Sequence, residues 1–183
     1  EATALELVPM AKQGDTKTEI FQPAEMGKLL EAASVHELPL LLIGGFAGLR
    51  VAEIKRLEWK AVDLERKIIT LRADQAKTAS RRIVPISDGL AAWLRPLPQE
   101  GKVVPKRAPD LTKLAEKLAM TWPRNVLRHS YISYRLAIVK DAASVALEAG
   151  NSPDIIFKHY RELVTEQDAQ KWFSISPPEG WAP

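Results

Sequence analysis

"KAVDLERKIITLRADQAKTASRRIVPIS", residues 60–87, is where the texture of the chain changes. The runs KAVDL, KIITLRA and RRIVPIS alternate apolar and polar positions and are parted by ERK and DQAKTAS. That pattern predicts a small antiparallel meander of three strands, with Lys77 in or beside the second turn. On either side the spacing is helical. PAEMGKLLEAAS opens with Pro23 in a first turn and lines Met26, Leu29, Leu30 and Ala33 along one face. LPLLLIGGFAGLR reads as a nearly all-apolar helix; Gly44 and Gly45 permit close backbone approach, and Gly48 suits a C-terminal cap that leaves Arg50 at the turn into VAEIKRL. Beyond the meander, SDGLAAWLRPL starts at a serine cap, DLTKLAEKLAM is amphipathic, and PRNVLRHSYISYRLA starts with Pro123 in a first turn. DAASVALEAG ends at Gly150, and SPDIIFKHY and TEQDAQKWF each open at a Ser or Thr cap. The expected fold is α+β, mostly α-helical, with one inserted three-stranded antiparallel sheet. Residues 1–20, with Pro9, Gly14 and no periodicity, read as a linker or arm; 21–174 form the domain, and the Pro-rich 175–183 a tail.

The 183 residues are 46% hydrophobic, enough for one well-cored domain. There is no cysteine, which excludes a disulfide framework, thiolate-bound zinc and a cysteine nucleophile. No long apolar run or basic-then-apolar leader is present, so neither a membrane span nor a signal peptide is expected. The net charge of +3 conceals a segregation: residues 66–82 carry six basic and one acidic side chain, and residues 102–135 eight basic and two acidic. The flanking stretches 1–65 and 136–183 are net acidic. Two basic blocks able to converge in space nominate a polyanion as partner, although such runs more often mark a solvated face.

Templates for metal and nucleotide chemistry fail, and a Ser-His-Asp arrangement, which sequence leaves open, has no nucleophile elbow to support it. His36, His129 and His159 have no ligand spacing, and neither GxxxxGK nor GxSxG occurs, so no metal and no cofactor is expected. What remains is a series of cations at turns and helix starts, Arg50, Lys77 and Arg128, followed by Tyr160. Singly, each has a plain structural explanation: a helix cap, an exposed hairpin lysine, a carboxylate partner, a core aromatic in line with Ile156 and Leu163 or Val164.

Taken in order, they resemble the catalytic domain of the tyrosine recombinases, the phage-integrase family. FAGLRVAEIKRLEW matches the family's glycine, hydrophobic residue and first arginine, with a glutamate three residues on: Arg50 and Glu53. DQAKTASRRIVPI supplies the hairpin lysine, Lys77, and NVLRHSY matches the H-x-x-R-H segment with Arg128 and His129. EAGNSPDIIFKHY places Asn151 nine residues before Tyr160, the family's nucleophile. HYREL also looks like a subset of bacterial mobile-element integrases. Two positions depart from the pattern: Asn125 stands where the family has the histidine of H-x-x-R, and Asn151 where it has histidine or tryptophan.

The resemblance implies metal-free cleavage and rejoining of DNA strands, with Tyr160 attacking phosphorus to give a 3′-phosphotyrosyl link. Arg50 and Arg128 would grip the non-bridging oxygens and Lys77 would protonate the leaving 5′-oxygen. Asn125 and Asn151 can orient phosphate oxygens but cannot move protons. Three routes stay open for the phenol, which titrates near ~10: cationic stabilisation of a phenolate, substitution by His129 or His159, or weak activity. Glu53 would buttress Arg50. Arg66, Lys67, Arg72, Arg81, Arg82, Arg124 and Arg135 are the candidate contacts to backbone phosphates. The implied partner is double-stranded DNA. TEQDAQKWFSI resembles the segment that docks into a neighbouring protomer, with Trp172 and Phe173 as anchors; in a lone domain the alternatives are folding back and swapping, and a DNA-binding domain is expected upstream. The expected setting is the cytoplasm of a bacterium, or of a phage-infected cell, at the nucleoid. The competing readings are a topoisomerase IB-like enzyme and a degenerate DNA-binding module without catalysis.

Overall fold

In the computed structural model, which describes residues 18–72, 81–161 and 163–183, the meander forms as expected. Strands β1 (Val62–Asp63), β2 (Ile68–Leu71) and β3 (Arg82–Pro85) pair antiparallel in sequential order. The register sets Val62 beside Ile69, Ile69 beside Val84 and Leu71 beside Arg82. Val62, Ile69, Leu71 and Val84 face the core. Lys77 lies outside the described residues.

The helices are α1 (Pro23–Ala32), α2 (Leu38–Ala47), α3 (Val51–Ile54), α4 (Asp88–Leu94), α5 (Leu111–Lys117), α6 (Val126–Val139), α7 (Ala142–Ala149), α8 (Pro153–Tyr160) and α9 (Glu166–Phe173). α2 is buried at every position, as an all-apolar helix must be. α6 packs across it and also against α7, α8 and α9. The caps follow sequence: Ser87, Ser152 and Thr165 each accept a backbone N–H with their hydroxyl.

Gly48 closes α2 at φ +66, and a Cβ there would stand 2.1 Å from the Tyr131 ring of α6. The residue therefore supplies both the left-handed turn and the space that brings α6 close. Gly150 closes α7 at φ +62, with the Arg82 guanidinium 3.0 Å from where its Cβ would be.

One expectation needs correction. α6 begins at Val126, three residues later than the helix expected from Pro123, because Asn125 adopts φ +58 and caps it in the left-handed region, where asparagine is well tolerated. α9 is seated in this chain's own core: Trp172 is fully buried, stacks 4.5 Å from Tyr134 and donates its Nε1–H to the Gly45 carbonyl at 3.1 Å. The stretch after Ser174 packs back on the domain, with Trp181 4.9 Å from Trp93 in an edge-on contact. Among the described residues no helix is long and apolar enough to cross a membrane.

Candidate functional site

Arg50 is the N-cap of α3, the first turn after the Gly48 cap, so its position is fixed by the end of α2. Its backbone N–H donates to Glu53 Oε2 at 2.8 Å, and its guanidinium reaches Glu53 Oε1 at 3.3 Å and the Gly150 carbonyl at 2.9 Å. One side chain thus ties α3 to the turn between α7 and α8.

Glu53 is 1% exposed and is gripped from the other side by Arg82, Nη1 to Oε1 at 3.0 Å and Nη2 to Oε2 at 2.7 Å. Burial alone raises the Glu53 carboxyl. The hydrogen bonds from Arg82 and the Arg50 backbone, with both positive charges, outweigh it and hold the group below the usual carboxylate range. Arg82 Nε donates to the Glu148 carbonyl at 3.0 Å. Arg82 was expected on DNA; at 8% exposure and with its donors engaged, it is instead the strut beneath Arg50.

Arg128, on the first turn of α6, donates Nη1 to the Gly48 carbonyl at 2.7 Å, while its buried Nη2 has no hydrogen-bond partner among the described residues. Burial, followed by the neighbouring Arg50 charge, brings its pKa down to about 10, so it stays cationic at neutral pH. Arg50, Asn125 and Arg128 line a recess of about 70 Å³.

Beside this recess, and sharing Asn125 with it, lies an open cleft of about 550 Å³ lined by Thr18, Glu19, Arg124, His129, His159 and Tyr160, among others. Tyr160 ends α8, with its ring buried among α6 and α7 side chains. Its Oη lies 2.6 Å from His129 Nδ1. Burial raises the Tyr160 phenol above its usual range, and the Arg128 and Arg50 charges partly oppose that shift. His129 is lowered by burial, then by Arg128 and His159. Thr18, assigned to the arm by sequence, donates its hydroxyl to the His159 carbonyl at 3.1 Å, so the described end of that arm borders the cleft.

The structure therefore brings Arg50, Arg128, Tyr160 and Asn125 together. Asn151 follows the Gly150 cap and is held by its backbone N–H on the Ala146 carbonyl at 2.9 Å, but it lines neither recess.

The expected phosphate contacts divide. Arg72, Arg81 and Arg124 are exposed, the first two at the ends of β2 and β3 next to the site and Arg124 on the cleft. Arg66 and Lys67 sit in the β1–β2 turn, at the other end of β2, roughly 13 Å away for four residues of strand. Lys67 is paired there with Asp88. Arg135 is half-buried and bound to both carboxylate oxygens of Glu148, at 2.8 Å each, which assigns its guanidinium to joining α6 and α7.

Solved structures share this architecture. The crystal structure of XerA recombinase aligns with a TM-score of 0.65 at 18% identity, covering 86% of this chain and 65% of that one. The integrase from mycobacterium phage Brujita gives 0.61 at 17%, covering 99% and 62%. The Tn1549 transposon integrase in complex with transposon right end DNA gives 0.63 at 16%, covering 88% and 66%. The chain spans about two thirds of the length of these proteins. No curated protein sequence matches it. The fold is that of a tyrosine-recombinase catalytic domain. The model of the phage integrase family matches residues 19–174, and the chain belongs to that family.

Proposed function

We propose that this chain is the strand-transferring domain of a site-specific DNA recombinase or integrase, with residues 21–174 as the catalytic unit and Tyr160 as the nucleophile. The observation that carries the reading is the pair of guanidiniums beside the tyrosine: Arg128, buried with Nη2 unpaired among the described residues, and Arg50, braced from behind by Glu53 and Arg82. Two planar cations fixed at one recess suit the non-bridging oxygens of a phosphodiester and stabilise the charge that gathers there in the transition state. Tyr160 Oη attacks phosphorus, the 3′-phosphotyrosyl link forms, and the 5′-oxygen leaves with a proton from Lys77. Asn125, on both recesses, is assigned to orienting a phosphate oxygen, and Asn151 to the same task from the α7–α8 turn. Double-stranded DNA is the substrate, held by Arg72, Arg81 and Arg124. Self-association on DNA belongs to this reading, in the cytoplasm of a bacterium or of a phage-infected cell.

A pool of nicked duplexes with randomised cores tests it, with species that stay bound to protein after denaturation recovered and sequenced. Covalent attachment is expected for the unmutated protein and its loss for Tyr160→Phe. Attachment that persists in Tyr160→Phe assigns the nucleophile elsewhere, and none from either protein favours the DNA-binding module without catalysis. With a recovered site in hand, two-site strand exchange compared with supercoil relaxation separates a recombinase from a topoisomerase.

A further inference from the structure

A buried phenol whose pKa is raised needs an acceptor for its proton before it attacks phosphorus at a useful rate. The amides of Asn125 and Asn151 have no basic nitrogen to offer. What touches the hydroxyl is an imidazole: His129 Nδ1 is 2.6 Å from Tyr160 Oη, with the rings stacked at 29° and their centroids 5.6 Å apart. We propose that His129 takes the Tyr160 proton during strand cleavage, the office that the two asparagines cannot fill. This deepens the strand-transfer reading above and rests on it.

The helix explains how one sequence segment serves two partners. Successive α-helical residues are turned by about 100°, so Arg128 points to the Gly48 carbonyl and the phosphate recess while His129, next along α6, meets α8. The 2.6 Å separation lies within the reach a general base needs. His129 also lines the open cleft, so the imidazole borders solvent.

The proton balance closes. In cleavage the Oη–H bond breaks and its proton passes to Nδ1, the Oη–P bond forms, and the P–O5′ bond breaks as the leaving oxygen takes a proton from the general acid. In rejoining, the imidazolium returns its proton to Oη as the P–Oη bond breaks and the incoming 5′-hydroxyl surrenders its own to the deprotonated acid. No metal, oxidant or cofactor enters.

The charge state suits the task. His129 is faced by Arg128 on its own helix, by Tyr160 and His159 from α8, and across the cleft by Arg124 and Glu19. Burial and the Arg128 and His159 charges hold it below the ordinary imidazole range, about 6.5. The neutral, proton-accepting form therefore persists through neutral pH, and acceptance is lost only as pH falls through that lowered value.

The test uses a duplex recovered with the unmutated protein, carrying sulfur in place of the bridging 5′-oxygen at the scissile phosphate. A thiolate leaves without being protonated, so the rate reports activation of the nucleophile alone. Single-turnover attachment is followed from pH 5 to 8. For the unmutated protein the rate should fall on the acid side. His129→Gln should be slower by about 100-fold at neutral pH, as loss of a general base requires, should lose the acid limb, and should retain the duplex in a gel-shift assay. His129→Ala should regain at least about tenfold on addition of free imidazole, a rescue that a structural role does not predict. Retention of the acid limb in His129→Gln, or cleavage by it at the unmutated rate, overturns the assignment while leaving Tyr160 in place. Absence of attachment by the unmutated protein instead overturns the strand-transfer reading itself.

Discussion

Arg128 carries the site's electrostatics at the scale of one residue. One of its two terminal nitrogens is spent on the Gly48 carbonyl, which fixes the plane of the guanidinium, and the other is buried without a hydrogen-bond partner among the described residues. Lysine offers a single nitrogen and cannot satisfy the carbonyl and a phosphate oxygen in the same fixed geometry. Arg128→Lys should therefore slow covalent attachment by about 10²–10³-fold, the cost of removing one preorganised donor. Attachment at the unmutated rate would remove Arg128 from the reaction. Arg50, Arg128 and Tyr160 were legible as a set only through the resemblance to the family's motifs, since each alone has a plain structural explanation. The meeting of His129 with Tyr160 was open only as one of three routes, because α6 and α8 contact each other across 31 residues of chain and no local pattern encodes that approach.

At the scale of elements, β3 decides which of two adjacent arginines is buried. Successive strand residues face opposite sides, so the inward face of Val84 carries Arg82 and the outward face of Ile83 carries Arg81. RRIVP leaves that parity undetermined, since Ile83 and Val84 are equally apolar and either could face inward; both arginines were accordingly assigned to DNA. The caps at Ser87, Ser152 and Thr165 were legible because a hydroxyl accepting a free N–H is local chemistry. The late start of α6 was not, because Pro123 is an ordinary first-turn residue and no local signal marks Asn125 as the left-handed cap. Opposite roles give opposite phenotypes. Arg82→Ala leaves Glu53 buried with half its ion pairs and should cost about 3–5 kcal/mol in urea unfolding, with little change in the salt dependence of DNA binding. Arg81→Ala should leave stability within about 0.5 kcal/mol and, as a lost phosphate contact, reduce the slope of log affinity against log salt by about one. If Arg82→Ala is as stable as the parent, the strut beneath Arg50 is not what holds it.

For the whole molecule, the decisive packing is that of α9. The family resemblance leaves Trp172 and Phe173 two seats, a neighbouring protomer or this chain's own domain, since an amphipathic helix with two aromatic anchors fits any apolar groove within reach. In this structure the groove is the chain's own. Trp172 stacks on Tyr134, lies 5.3 Å from Phe46 and satisfies its indole N–H on Gly45, while Phe173 packs edge-on against Tyr131. Those contacts run to α2 and α6, the helices whose ends hold Arg50 and Arg128, so seating α9 in the domain also supports the site. The two arrangements differ in mass action. A helix exchanged between copies ties folding to association, and the thermal midpoint then rises with protein concentration; a helix seated in its own core gives a midpoint that does not. The midpoint of this chain in the absence of DNA should hold constant between roughly 1 and 100 µM, and Trp172→Ala should lower stability by about 3–5 kcal/mol, as for other fully buried aromatics. A midpoint that climbs with concentration would return α9 to the neighbouring protomer and make the observed cis packing the minor form in solution.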